Sequence, residues 1–143
     1  MKKMLATIAF LGTIVLASPV KAENPAHVKQ LLETNQCESC DLEGADLTGA
    51  HLIGADLRNA NLQKAILVEA NLEGADLTGA NLRGANLTGA FVNGTSLNAA
   101  NLINVNFSDA RLYSVDVANA VMSDITLEGA SVYNTAISVG GGD

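Results

Sequence analysis

The chain lacks the local signatures on which most enzyme sites are built. It contains no P-loop and no nucleophile elbow, and its two histidines, His27 and His51, are not clustered. Basic side chains are scarce, with eight Lys and Arg against fifteen Asp and Glu. A surface of that sign repels nucleic-acid phosphates and anionic lipid headgroups, so direct binding to either is disfavoured. Only two cysteines are present, Cys37 and Cys40, and no second long apolar run follows the first 22 residues. Carboxylates are plentiful, but a solvated acidic face is the simpler explanation for them than an acid–base pair. These absences point away from catalysis, cofactors and bound metal.

What is present begins with a leader. Lys2 and Lys3 precede an apolar stretch from Met4 to Ala17, and Pro19 and the small-residue end Val20-Lys21-Ala22 follow. That is the layout of a secretory signal peptide, with cleavage expected after Ala22. The apolar stretch is short of the ~20 residues a membrane-spanning helix needs. Removal of residues 1–22 leaves five basic and fifteen acidic side chains, a formal net charge of −10. The remaining chain is of single-domain length. It is expected to be exported, without membrane insertion once the leader is gone.

From Cys40 onward an apolar residue recurs at every fifth position, from Leu42, Leu47 and Leu52 through Val132 and Ile137, twenty repeats without an insertion. Two residues before each stands a small or β-branched residue, unbroken alanine from Ala45 to Ala90 and then larger members such as Thr95, Val105, Val115, Ile125 and Thr135. Asp or Asn mostly lies between the two. A period of five fits neither a helix nor a simple strand. If the alanine and the leucine both point inward, the chain must break its alternation once per repeat, and one corner per repeat does this. All nine glycines within the repeats, Gly44 to Gly129, fall two residues after the central apolar residue, where a tight turn needs positive φ. In the second half the same slot often holds Asn104, Asp109, Asn119, Asp124 or Asn134, so corners there are open to a different turn type. Glycine at the corners also counts against an alanine-rich helix.

The motif A-(D/N)-L-x-x, as in Ala45-Asp46-Leu47-Thr48-Gly49 and Ala80-Asn81-Leu82-Arg83-Gly84, resembles the pentapeptide-repeat family over residues 40–139. The resemblance implies an all-β solenoid, a right-handed quadrilateral β-helix with four repeats per coil and therefore about five coils. Stability in such a column comes from stacking, because no coil is thick enough to bury its own leucines.

Residues 23–39 precede the column as a cap. Asn24 is placed to cap a helix, Pro25 suits its first turn, and Val28, Leu31 and Leu32 form an apolar stripe expected to lie over the first coil. At the other end, residues 140–143 read as a flexible tail. With no comparable cap there, that edge either frays or pairs with another molecule, which admits end-to-end self-association through the C-terminal coil.

Cys37-Glu38-Ser39-Cys40 sits at the junction. Cys40 takes the alanine slot of the first repeat and faces inward, with Cys37 one turn back in the cap. In an oxidising compartment a disulfide fastening cap to column is the leading reading. A redox-active dithiol is the sharper alternative, without the βαβ context that usually surrounds one. Zinc would have to recruit His27 and His51.

With residues twenty apart stacked, Asp56, Asp76, Ser96 and Asp116 form a mostly acidic ladder, and Asn61, Asn81 and Asn101 one whose amides could bond along the stack. Ile53, Phe91, Tyr113 and Tyr133 share a third wall, the candidate surface for a protein partner. The expected function is a non-catalytic structural or interaction module, similar to exported cyanobacterial pentapeptide-repeat proteins of the thylakoid lumen or periplasm. A different branch of the family, acidic columns that mimic duplex DNA and bind topoisomerase, supplies the alternative. The export signal counts against it. Redox sensing through Cys37 and Cys40 is a third reading.

Overall fold

The computed structural model describes residues 23–137. The expected leader, 1–22, and the tail, 140–143, lie outside the described residues, as do the last two positions of the expected column.

Most repeats close one corner in the same way. The Leu42 carbonyl accepts from the Ala45 amide at 3.1 Å, turning the chain across Glu43 and Gly44, and Gly44 takes a φ of 70°. Positive φ at the third residue of the four is what a type II turn requires, and glycine supplies it without a Cβ clash. Four such corners return the chain to its starting point one layer up. The pairing registers show this directly: Asp41 bridges Asn61, Asn61 bridges Asn81, Asn81 bridges Asn101 and Asn101 bridges Val121, all parallel and all offset by twenty. The column is therefore quadrilateral, with four repeats per coil.

Coils are joined by backbone hydrogen bonds along the column axis. Leu42 N–H donates to the Asn61 carbonyl and Gly44 N–H to that of Gln63, each at 2.8 Å, while Asn61 N–H donates back to the Cys40 carbonyl at 2.8 Å. Continuous strand is nonetheless short. Among the described residues only β1 (Arg111–Tyr113) and β2 (Ser131–Tyr133) span three residues, paired in parallel with Tyr113 opposite Tyr133. Elsewhere a corner on either side leaves a single bridging residue, so the expected all-β solenoid is built mostly of isolated bridges.

The corners of the second half mostly repeat the geometry of the first. Asn104, Asp109 and Asn119 take φ of 58°, 57° and 58°, and the turn hydrogen bonds from Val105, Ala110 and Ala120 persist. Replacing glycine there did not change the left-handed backbone. A departure comes with the strands: beyond Ser114 the Val115 amide donates to Thr135 Oγ1 at 3.0 Å.

The core is one continuous stack. The leucines from Leu42 to Leu112 and the inward alanines two residues before them are buried, as is Phe107. Burying each leucine-sized side chain contributes about 1.5–3 kcal/mol, most of it offset by ordering the backbone. Thr95 is the one buried polar residue of the described core, and its hydroxyl donates to the Leu72 carbonyl at 2.7 Å. In the last coil burial fades: Met122, Leu127 and Ile137 are partly covered and Val132 is exposed.

Helix α1 (Pro25–Thr34) lies at the N-terminal end with Asn24 as its cap, the Asn24 side chain accepting from the Ala26 and His27 amides. Leu31 is fully buried and Val28 partly so, but Leu32 is exposed, which corrects the expected stripe. The contact line runs through His27, Gln30, Leu31 and Thr34, at helical spacings of three and four, and Leu32 lies about 100° round from Leu31. His27 and the Gln30 and Thr34 side chains reach Asp41 and the Gln36 carbonyl on the first coil.

The corner geometry makes a stability prediction. Ala99 holds a φ of 56° although it has a Cβ, whereas Gly94 at 63° has open space where a Cβ would stand. Ala99→Gly is expected to stabilise the column by roughly 0.5–1 kcal/mol and Gly94→Ala to destabilise it by a similar amount. Urea titrations of the two variants against the wild type measure both signs.

Candidate functional site

The outward Asp and Asn of each repeat are used by their own backbone. Asp76 Oδ1 accepts from the Thr78 amide at 3.0 Å, Asn81 Oδ1 from Arg83, Asn101 Oδ1 from Ile103 and Asp116 Oδ1 from Ala118. The amides concerned belong to the first residue of each corner rather than to the bridging wall, and the side chain two residues earlier satisfies them. The Asn ladder therefore bonds chiefly to its own repeats rather than along the stack, although Asn61 Nδ2 does reach Asp41 Oδ1 at 3.1 Å.

On the acidic wall Arg58 spans three layers. Its guanidinium meets Asp56 at 2.7 Å, Glu38 on the coil before at 3.3 Å and Asp76 on the coil after at 4.0 Å. Hydrogen bonding from Arg58 holds the Asp56 carboxyl below its ordinary range, against the opposing effect of desolvation. A carboxylate with a lowered native pKa stabilises the fold above its unfolded value and loses that contribution as pH falls. Asp56→Asn keeps an acceptor for the backbone while removing the charge. The difference in melting temperature between wild type and this variant should hold steady above about pH 4 and shrink below it.

Cys37 and Cys40 form a disulfide, and both are buried. Cys37 does not belong to the cap. Its amide donates to the Asp56 carbonyl, and it fills the central apolar slot of a repeat running from Asn35 to Ser39, whose corner residue Ser39 takes a φ of 58°. The signal was in the sequence: Cys37 stands five residues before Leu42. The disulfide thus lies inside the first coil, beneath α1, with Cys37 Sγ 3.4 Å from the His27 carbonyl oxygen. Among the described residues no three His, Cys, Asp or Glu side chains are grouped to hold a metal ion. Thiol titration in denaturant is expected to find no reactive thiol before reduction and two after it. Replacing both cysteines by serine should lower stability by about 2 kcal/mol.

The wall proposed for a partner is divided. Tyr113 and Tyr133 stack on adjacent layers in β1 and β2, 41% and 72% exposed. Beside them the Arg111 guanidinium lies 5.0 Å from the centre of the Phe91 ring, a cation–π contact. Ile53 is exposed on the same wall, but Glu73 and Asn93 intervene, joined to each other at 2.8 Å, with Asn93 Oδ1 also accepting from the Tyr113 amide. The structure thus brings Phe91, Tyr113 and Tyr133 together and leaves Ile53 apart. At the C-terminal mouth a hollow of about 570 Å³ opens between Val115, Val117, Met122 and Thr135.

The profile of pentapeptide repeats matches residues 40–79, 80–117 and 93–129, with eight copies. The chain belongs to the pentapeptide-repeat family. Solved members of similar structure include a pentapeptide repeat protein of the Arabidopsis thaliana thylakoid lumen, 26% identical over 71% of this chain and 64% of that one, with a TM-score of 0.44. Rfr23 from the cyanobacterium Cyanothece is 24% identical over 78% of this chain and 97% of its own, with a TM-score of 0.39. QnrB1, a plasmid-mediated fluoroquinolone resistance protein, is 24% identical over 70% of this chain and 61% of that one, with a TM-score of 0.42. The chain spans under two thirds of the length of the Arabidopsis relative and of QnrB1. No curated protein matches the sequence significantly. Family membership rests on the repeat profile, which covers more than half of the chain.

Proposed function

We propose that this protein is a non-catalytic structural or interaction module of an exported compartment, the thylakoid lumen or the periplasm. It acts as a right-handed quadrilateral β-helix of about five coils. A buried disulfide in the first coil and a leader-like N-terminus support export. The observation that carries the interaction reading is the pair of exposed tyrosines stacked on consecutive layers, flanked by Phe91 and Arg111. Tyrosine and arginine are the residue types on which protein interfaces concentrate their binding energy. The last coil, where Met122, Leu127 and Val132 are incompletely covered, offers a second surface, suited to end-to-end contact with another molecule.

DNA mimicry is the weaker reading. It needs carboxylates presented to a partner, whereas Asp56, Asp76 and Asp116 accept from their own backbone and Arg58 neutralises part of the same wall. Redox sensing is likewise less favoured, because both sulfur-bearing side chains are enclosed between α1 and the first coil.

Capture from lumenal or periplasmic extract with wild type and with the double variant Tyr113→Ser, Tyr133→Ser tests the proposal. The variant should fold, since both side chains lie outside the core, and it should lose proteins that the wild type retains. Indistinguishable captured sets would remove this wall from consideration.

A further inference from the structure

We propose that the tyrosine wall takes an acidic partner, a segment of another protein that presents a carboxylate beside an aromatic or apolar side chain. This rests on the reading of that wall as an interaction surface and names the chemistry the wall selects. Along the column the outward slot between alanine and leucine is mostly Asp or Asn, and each of the other three walls carries carboxylates, Asp41, Asp46 and Asp56 among them. The last three layers of this wall depart from that pattern. Phe91, Arg111 and Ser131 occupy the slot one above the next, with Asn93, Tyr113 and Tyr133 two residues on. None of these six outward positions holds a carboxylate. Arg111 is their sole charge, a cation on a chain whose formal net charge is −7.

The guanidinium is exposed, and it lies over the Phe91 ring of the layer before, 5.0 Å from its centre. Stacking uses the face of the group and leaves its in-plane N–H fork, which matches the two oxygens of a carboxylate. Among the described residues Arg111 forms no ion pair, in contrast to Arg58, which three carboxylates surround. A cation already oriented by a ring loses less freedom on binding than a mobile one.

The tyrosines are held by a device of their own. Where Asp or Asn fills the slot, its side chain accepts from the amide two residues on, but Arg111 has only donors to offer. The Tyr113 amide donates instead to Asn93 Oδ1 of the layer before at 3.3 Å, and Asn93 Nδ2 donates to Glu73 Oε1 at 2.8 Å. Because Glu73 can only accept, it turns the oxygen of the Asn93 amide toward Tyr113. Tyr133 then pairs in register above Tyr113, on layers about 4.8 Å apart. The patch thus joins an aromatic surface to one oriented cation. Repulsion between the acidic column and an acidic partner is screened beyond about 8 Å at physiological ionic strength, so Arg111 decides the sign of the contact locally.

Tyrosine emission tests this, because the chain has two tyrosines, both on this wall, and no tryptophan. The probes are three N-acetylated, C-amidated peptides that alternate Phe with Asp, Asn or Lys, titrated into the whole protein at low and high salt. The Asp peptide is expected to bind roughly threefold to fivefold more tightly than the Asn peptide, the effect of one exposed charge pair. That margin should close at high salt, and the Lys peptide should bind more weakly than either. In Arg111→Gln, which leaves both tyrosines and the core in place, the Asp and Asn peptides should bind alike. Equal affinities in the wild type overturn the proposal and leave the tyrosines as a charge-neutral interface. Tighter binding of the Lys peptide overturns it too, since the bulk charge of the column would then govern the wall, as does an Asp preference that survives in Arg111→Gln. No change in emission with any peptide also overturns it, and the interface itself is judged separately by the sets captured with the Tyr113→Ser, Tyr133→Ser variant.

Discussion

A left-handed backbone at every fifth residue is the constraint on which the rest depends. It turns the chain before a second inward residue can follow the leucine, and so sets the side of the square at five residues and the coil at twenty. Every axial hydrogen bond follows from that number, because Leu42 can meet Asn61 only if each intervening corner closes identically. Glycine takes this conformation most easily, yet Lys64, Glu69 and Ala99 hold it as well. Their strain of about 1 kcal/mol each is accepted because the ladders above and below over-determine the corner.

Much of this was legible in the sequence, and for a physical reason. A repeat that must stack on itself leaves little freedom at its inward positions, so the spacing of Leu42, Leu47 and Leu52 and the fixed slot of the glycines carry most of the architecture. The ends were harder to read. There a residue is defined by what covers it rather than by period, and Leu32 and Cys37 show the two kinds of error. Leu32 satisfied an apolar stripe but fell off the line of contact, since the helix is rotated to bring His27 and Thr34 onto the coil. Cys37 satisfied the five-residue period, but its type hid it among leucines.

The walls carry a similar lesson. Asp and Asn recur so regularly between alanine and leucine that they suggested ladders facing outward, and an acidic column ready to meet a partner. Most of their oxygens instead accept an amide two residues on. The regularity of these side chains reflects the regularity of the backbone they satisfy. Phe91 and Arg111 break the pattern and are free of that duty, and with Tyr113 and Tyr133, in the variable slot after the central apolar residue, they make the distinctive surface of this molecule.

A square coil also governs how such a chain can change in length. Losing twenty residues from its middle would shorten the column by one layer and leave each later side chain on the wall it now occupies. Losing five would preserve the core, since alanine would still replace alanine and leucine replace leucine, but would turn every later wall by one side. Tyr113 and Tyr133 would then stand a quarter turn away from Ile53 and Glu73. The core counts in fives and the surface in twenties, so the two can be inherited, and altered, separately.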